Sequence, residues 1–110
     1  MLLYHGSNNP LKPENIAIIR NGAKQGKKGR TYGGFYCADN IEHAMGYGMP
    51  LRVTLFSGIK TFYKSGDITR LSAEYINSLL NQGYQMVIGK DLFGRKEYVI
   101  IDKCVIESID

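Results

Sequence analysis

The chain has little of what would mark a membrane-bound, secreted or metal-organised protein. No apolar run approaches the roughly 20 residues a bilayer span requires. The N-terminal MLLYHGSNNP lacks the basic start and long apolar stretch of a signal peptide. Cysteine is limited to Cys37 and Cys104, each within an apolar run where a free thiol usually packs as a small buried hydrophobe. The pair fits a reducing compartment best, with a single disulfide left open. Histidine is limited to His5 and His43, and neither has a histidine or cysteine at a zinc-ligand spacing. There is no Walker loop, no Rossmann glycine fingerprint and no nucleophile elbow. The expectation is a soluble, cytoplasmic protein with no metal and no membrane partner.

Acid is also missing over one long stretch. Between residues 15 and 38 there is none, while Arg20, Lys24, Lys27, Lys28 and Arg30 supply five positive charges. Elsewhere nine basic residues face all ten acids, so the formal charge of +4 belongs to this one segment. NGAKQGKKGRTYGG is glycine-rich and almost free of large apolar residues, which makes it an exposed loop. One reading is a loop kept solvated by its lysines. The other is a surface that meets phosphates, either of a small anionic ligand or of a nucleic acid.

What is present suits one compact domain spanning 1–110, since 110 residues at 44% hydrophobic content can bury a core without staples. LLYH opens as a strand ended by GSNNP, and ENIAII fits a helix or a strand equally. GFYCA is strand-like, and Asp39 with Glu42 three residues on reads as a capping box before IEHAMGY. Leu51, Val53 and Leu55 alternate with polar residues as in a half-buried strand, and KTFYK can pair with it as a hairpin. Leu71, Tyr75, Ile76, Leu79 and Leu80 repeat at helical spacing, with Gly83 as the stop. QMVIGK, EYVIID and CVIES then give three strands. The order is that of an α+β fold, two small packed sheets with helices at the side.

Among groups that could do chemistry, His5 ends the first strand beside a turn, whereas His43, in the middle of a predicted helix, is expected at the surface. Cys37 could be a nucleophile near His5, but a β run favours its burial. Glu97 starts the EYVIID strand just after the loop KDLFGRK. A carboxylate at the start of a strand is often a solvated edge charge. At the rim of a cleft it can hold a ribose hydroxyl and stabilise positive charge at an anomeric carbon.

YHGS at 4–7, GFYCADNIEHAMGY at 34–47 and GYQMVIGKDLFGRKEYVIID at 83–102 resemble, in order, the three blocks of the diphtheria-toxin-like and poly-ADP-ribose-polymerase-like ADP-ribosyltransferases, the histidine-tyrosine-glutamate branch. The last block is also similar to small bacterial and phage members. The resemblance covers nearly the whole chain. It implies an ADP-ribosyltransferase-like fold, a split β-sandwich of antiparallel and mixed sheets, with NAD as a consumed substrate. It implies that His5 fixes the adenosine ribose and the backbone of Gly6 pairs with the nicotinamide carboxamide, with Ser7 beside them. Tyr36 and Tyr47 would take the nicotinamide ring between them, Ala44 would line the same pocket, and Arg30 would lie with the phosphates. Glu97 would bond the 2′-hydroxyl of the nicotinamide ribose as the glycosidic bond breaks, so Glu97, His5 and Tyr36 form the implied catalytic set.

Ala44 stands where polymerase-like members carry serine, which turns the resemblance toward the diphtheria-like branch. Arg95, two residues before Glu97, replaces the glutamate or glutamine of transferases that modify arginine or asparagine. The short chain favours transfer of one ADP-ribose to a protein or nucleic-acid acceptor, and a toxin or effector of this kind could have a neutralising antitoxin. NAD glycohydrolysis and an inert nucleotide-binding module on the same fold are the alternatives. Glu74, in AEYIN, mimics the glutamate strand but falls in the best amphipathic helix, so Glu97 is preferred.

Overall fold

The computed structural model describes residues 1–7, 34–69 and 71–110, together with the backbone of 24–25 and 31–32. The GSNNP turn beyond Ser7, ENIAII, Arg30 and the side chains of the basic segment lie outside the described residues.

Three strands build the first sheet: β1 (Leu2–Ser7) and the edge strand near the C-terminus each flank a central strand formed by Met49–Leu55. Lys24–Gln25 (β2) and Thr31–Tyr32 (β3) pair antiparallel as a minimal ribbon. Phe35–Cys37 forms β4, Met49–Leu55 is β5, and Thr61–Asp67 is β6. Met86–Lys90 (β7), Lys96–Ile100 (β8) and Ile106–Ile109 (β9) follow, as the apolar runs predict. The first sheet is ordered β1-β5-β9 and is antiparallel throughout. The second is ordered β4-β8-β7-β6, antiparallel except for the parallel β6–β7 pair. With two α-helices among the described residues, Ile41–Met45 (α1) and Ala73–Asn81 (α2), the fold is a compact α+β arrangement of two mostly antiparallel sheets.

Strand alternation divides the core into two layers. Leu3, Leu51, Val53 and Ile109 from one sheet meet Phe35, Cys37, Met86, Ile88, Tyr98 and Ile100 from the other. On the far face of the second sheet, Val87 and Val99 meet Ile68, Leu71, Ile76 and Leu79, so α2 lies on that face. Met86 is 1% exposed, and its truncation to alanine would cost about 2–5 kcal/mol. Of the helical-spacing set, Leu80 is exposed and Tyr75 only half-buried, because nine residues of helix present one narrow stripe to the sheet. Ser72 caps α2 by accepting from the Tyr75 N–H at 3.1 Å, and Gly83 follows its end at φ 85°.

The structure corrects several expectations, among them the basic segment, which carries the β2–β3 ribbon and is not loop throughout. KTFYK does not form a hairpin with β5: both edges of β5 are taken by β1 and β9, and β6 crosses to the second sheet instead. The cap of α1 is Asn40, not Asp39, with its side chain accepting from the His43 N–H at 2.8 Å. That leaves Asp39 free to accept from the Tyr98 hydroxyl at 3.2 Å. Cys104 is exposed, in a short 3₁₀ turn (Lys103–Val105), while Cys37 is buried; both are free thiols. No described helix is long and apolar enough to cross a membrane.

Candidate functional site

The candidate site forms where β1, the β4–α1 connection and the β7–β8 hairpin meet. β1 buries every second residue, Leu3, His5 and Ser7, so His5 is turned inward by the same alternation that fills the core. A two-way backbone bridge between Tyr4 and Ala38, at 2.8 Å in each direction, ties β1 to the end of β4. His5 Nδ1 lies 2.6 Å from the Tyr36 carbonyl oxygen. A carbonyl only accepts, so Nδ1 carries the proton, and in the neutral ring Nε2 is then the acceptor. Phe35 meets the imidazole edge-on at a centroid distance of 4.1 Å.

Gly6 is where α1 presses on β1. A Cβ built there would lie 2.1 Å from the Ala44 carbonyl oxygen and 2.8 Å from Tyr47 Cβ. Only a residue without a side chain lets the helix end come this close. α1 buries His43 and Ala44 while Glu42 stays outside, and Tyr47 follows, about half exposed.

On the opposite wall, Glu97 is the second residue of β8 and pairs with Gly89 of β7. It is buried, and burial followed by the charge of Asp91 raises its carboxyl pKa to about 7, with Arg95 opposing and Asp67 adding to the rise. Asp91 has the opposite tendency. Burial disfavours its charge, but hydrogen bonds from the backbone N–H and guanidinium of Arg95 and from the Phe93 N–H outweigh this, so its pKa is lowered. Those three bonds are 2.9, 2.8 and 2.9 Å long. Arg95 also reaches toward the Tyr47 hydroxyl at 3.5 Å.

A cleft of about 210 Å³ brings these elements together. Of the residues singled out from the sequence, His5, Gly6, Tyr36, Ala44, Tyr47 and Glu97 line it. Ser7 is buried but is not in its wall, and Arg30 is outside the described residues. Tyr36 is half-buried against the α2 layer, and its hydroxyl accepts from the Leu71 N–H at 3.2 Å, so it also anchors the lead into α2. Cys37 is in the wall but unsuited as a nucleophile. Burial, and secondly the Glu97 charge, push its thiol far above the usual range, so little thiolate forms. Glu74 sits exposed in the first turn of α2 and does not line this cleft.

The expectation of a surface His43 is overturned: its ring is buried in the cleft wall. A five-residue helix is too short for periodicity to say which side faces in, so the sequence carried no signal for it. Asp91 was missed although a signal existed. The DLFGR loop closes a tight hairpin through Gly94 at φ 77°, and this folds Asp91 back beside Arg95 and Glu97. One ligand atom each from His43, Asp91 and Glu97 lie within 4.8 Å of one another. The spacing would suit a cation, but the Arg95 guanidinium already supplies positive charge to the Asp91 oxygen, and a trio of this kind is no sign of a metal by itself.

The fold and site thus define an α+β protein with a histidine- and carboxylate-lined cleft between sheet edge and short helix. In comparisons with known proteins, no family model, no curated protein and no solved structure matches the chain.

Proposed function

We infer that the chain is a mono-ADP-ribosyltransferase, one catalytic domain over 1–110 on an ADP-ribosyltransferase-like fold, which consumes NAD and transfers ADP-ribose to a macromolecular acceptor. The observation that carries the reading is that three segments far apart in sequence place His5, Tyr36 with Tyr47, and a buried Glu97 around one cleft. In the reaction, the bond between nicotinamide and its ribose breaks and its electron pair leaves with the nicotinamide. The ribose cation is then captured by a nucleophile of a protein or nucleic acid, which gives up its proton. Tyr47, partly exposed at the mouth, offers an aromatic face to the leaving ring, and a contact of that kind adds about 0.5–1.5 kcal/mol beyond area burial. His5 is oriented by its bond to the Tyr36 carbonyl and can accept from a ribose hydroxyl through Nε2. The Glu97 carboxylate accepts from the 2′-hydroxyl and offsets the growing positive charge, an effect strengthened where water is excluded.

The carboxylate is the working form, so kcat/KM for nicotinamide release should rise with pH and level off above the free-enzyme Glu97 value of about 7. The deciding experiment incubates the protein with adenylate-labelled NAD and cell lysate, with and without nuclease. Nicotinamide release that Glu97→Gln abolishes, with label on protein or on nuclease-sensitive material, is the expected result. Release of free ADP-ribose without any labelled acceptor would make the protein a glycohydrolase. No release at all would leave an inert binding module and overturn the reading.

A further inference from the structure

His43 is buried in the cleft wall, and the transfer reaction as described gives it no task. Its Nε2 and Glu97 Oε2 are the two buried side-chain polar atoms without a hydrogen-bond partner among the described residues. They face each other at 3.6 Å, and Nε2 is also 3.4 Å from Asp91 Oδ2. Two orphaned atoms a few tenths of an ångström beyond hydrogen-bond reach are better explained as one interaction than as two separate penalties.

A single proton makes that interaction. An imidazole nitrogen without hydrogen and a carboxylate both only accept, whereas a proton on either lets it donate to the other. Asp91 does not itself take up that proton, because the Arg95 and Phe93 N–H groups and the Arg95 guanidinium hold it as an anion, and its Oδ2 is a second acceptor for an N–H at Nε2. The remaining groups that act on the pair are Asp67, which acts on Glu97, and Cys37 and Tyr47, whose thiol and phenol are pushed toward their neutral forms.

We propose that His43 is the positioning residue for Glu97, sharing one proton with it across the cleft wall, with Asp91 Oδ2 facing the same Nε2 and Arg95 fixing Asp91. One Glu97 oxygen is then held by His43 and the other is left to meet a ribose hydroxyl. When the cationic nicotinamide riboside enters, its charge favours the Glu97 carboxylate, and an N–H at His43 Nε2 holds that carboxylate in place by donating to Oε2. The catalytic consequence rests on the transferase reading; the proton-sharing geometry does not.

The test compares wild type with His43→Gln, which keeps a donor near the Nε2 position but cannot take up a proton, and His43→Leu, which has neither property. Thermal melts establish that each variant folds, and the Glu97 carboxyl is followed by ¹³C NMR through a pH titration. His43→Leu should move the Glu97 midpoint upward, because the donor that favours its carboxylate is gone, and His43→Gln, which keeps a donor, should move it less. In nicotinamide release, His43→Leu should lose about 10²-fold in kcat, the scale of a misplaced catalytic group, with KM for NAD little changed, and His43→Gln should lose less. A fall in kcat with an unmoved Glu97 midpoint would reduce His43 to a packing residue and overturn the proposal. So would a wild-type Glu97 midpoint that drops on adding zinc alone and recovers with chelator, since the trio would then be a cation site. If wild type releases no nicotinamide while the midpoint still moves in the variants, the transferase reading fails and the shared proton stands.

Discussion

Glu97→Gln should make the protein inactive and more stable, and the gain should depend on pH. The wild-type carboxyl is buried beside Asp91, which raises its pKa from 4.5 to about 7. The folded state therefore holds this proton more tightly than the unfolded chain does. Below pH 4.5 the group is protonated in both states and carries no penalty. As pH rises toward 7 the unfolded chain has released the proton while the fold has not, so stability falls, and the full penalty is present above the folded value. The rise from 4.5 to about 7 corresponds to about 3 kcal/mol. Glutamine keeps the shape without the charge, so it should recover about 3 kcal/mol above pH 8 and almost none at pH 4, a difference of roughly 10 °C or more in Tm for a domain of this size. Urea unfolding of both proteins at the two pH values measures it. A variant less stable than wild type at pH 8, or one with the same change at both pH values, would refute the argument that this carboxylate is held against its preference. The combination of lost activity and gained stability is the signature of a strained functional group.

Gly6, Tyr36 and Tyr47 line other parts of the cleft. Gly6→Ala drives a methyl into the Ala44 carbonyl, so it should cost about 1–3 kcal/mol in urea unfolding and raise KM for NAD by displacing Tyr47. The two tyrosines should separate cleanly. Tyr47→Ala, at a half-exposed position, should leave Tm nearly unchanged and weaken NAD binding in a calorimetric titration, whereas Tyr36→Phe removes the acceptor of the Leu71 N–H and should cost about 1 kcal/mol of stability. Glu74→Gln should retain full nicotinamide release, and its loss together with an active Glu97→Gln would mean that the two carboxylates have been assigned the wrong way round. Neutralising Lys24, Lys27, Lys28 and Arg30 together should reduce labelling of the acceptor or binding of NAD, and if neither changes the segment serves solubility alone.

What could be read from the sequence divides along a physical line. The strands at Met86–Lys90, Lys96–Ile100 and Ile106–Ile109 were legible as β-rich apolar runs, and the helix at Ala73–Asn81 because its period shows. The partner of β6 was not, because strand pairing depends on which sheet edges are already occupied, and nothing local to KTFYK records that β5 is flanked on both sides. At the site, His5, Tyr36, Tyr47 and Glu97 could be named in advance, since each stands in a segment with its own motif, and the structure places them around one cleft. His43 could not, because its importance lies in a distance to residues 48 and 54 positions away in the chain, not in its neighbours. The same limit applies to Glu97 itself. Its position was readable, but its elevated pKa was not, because that arises from burial and from the charge of Asp91, which only the closed hairpin brings alongside. The sequence left Glu97 open between a solvated strand edge and the rim of a cleft, whereas the fold resists its charge, and such resistance is hard to account for in a group that only completes a surface.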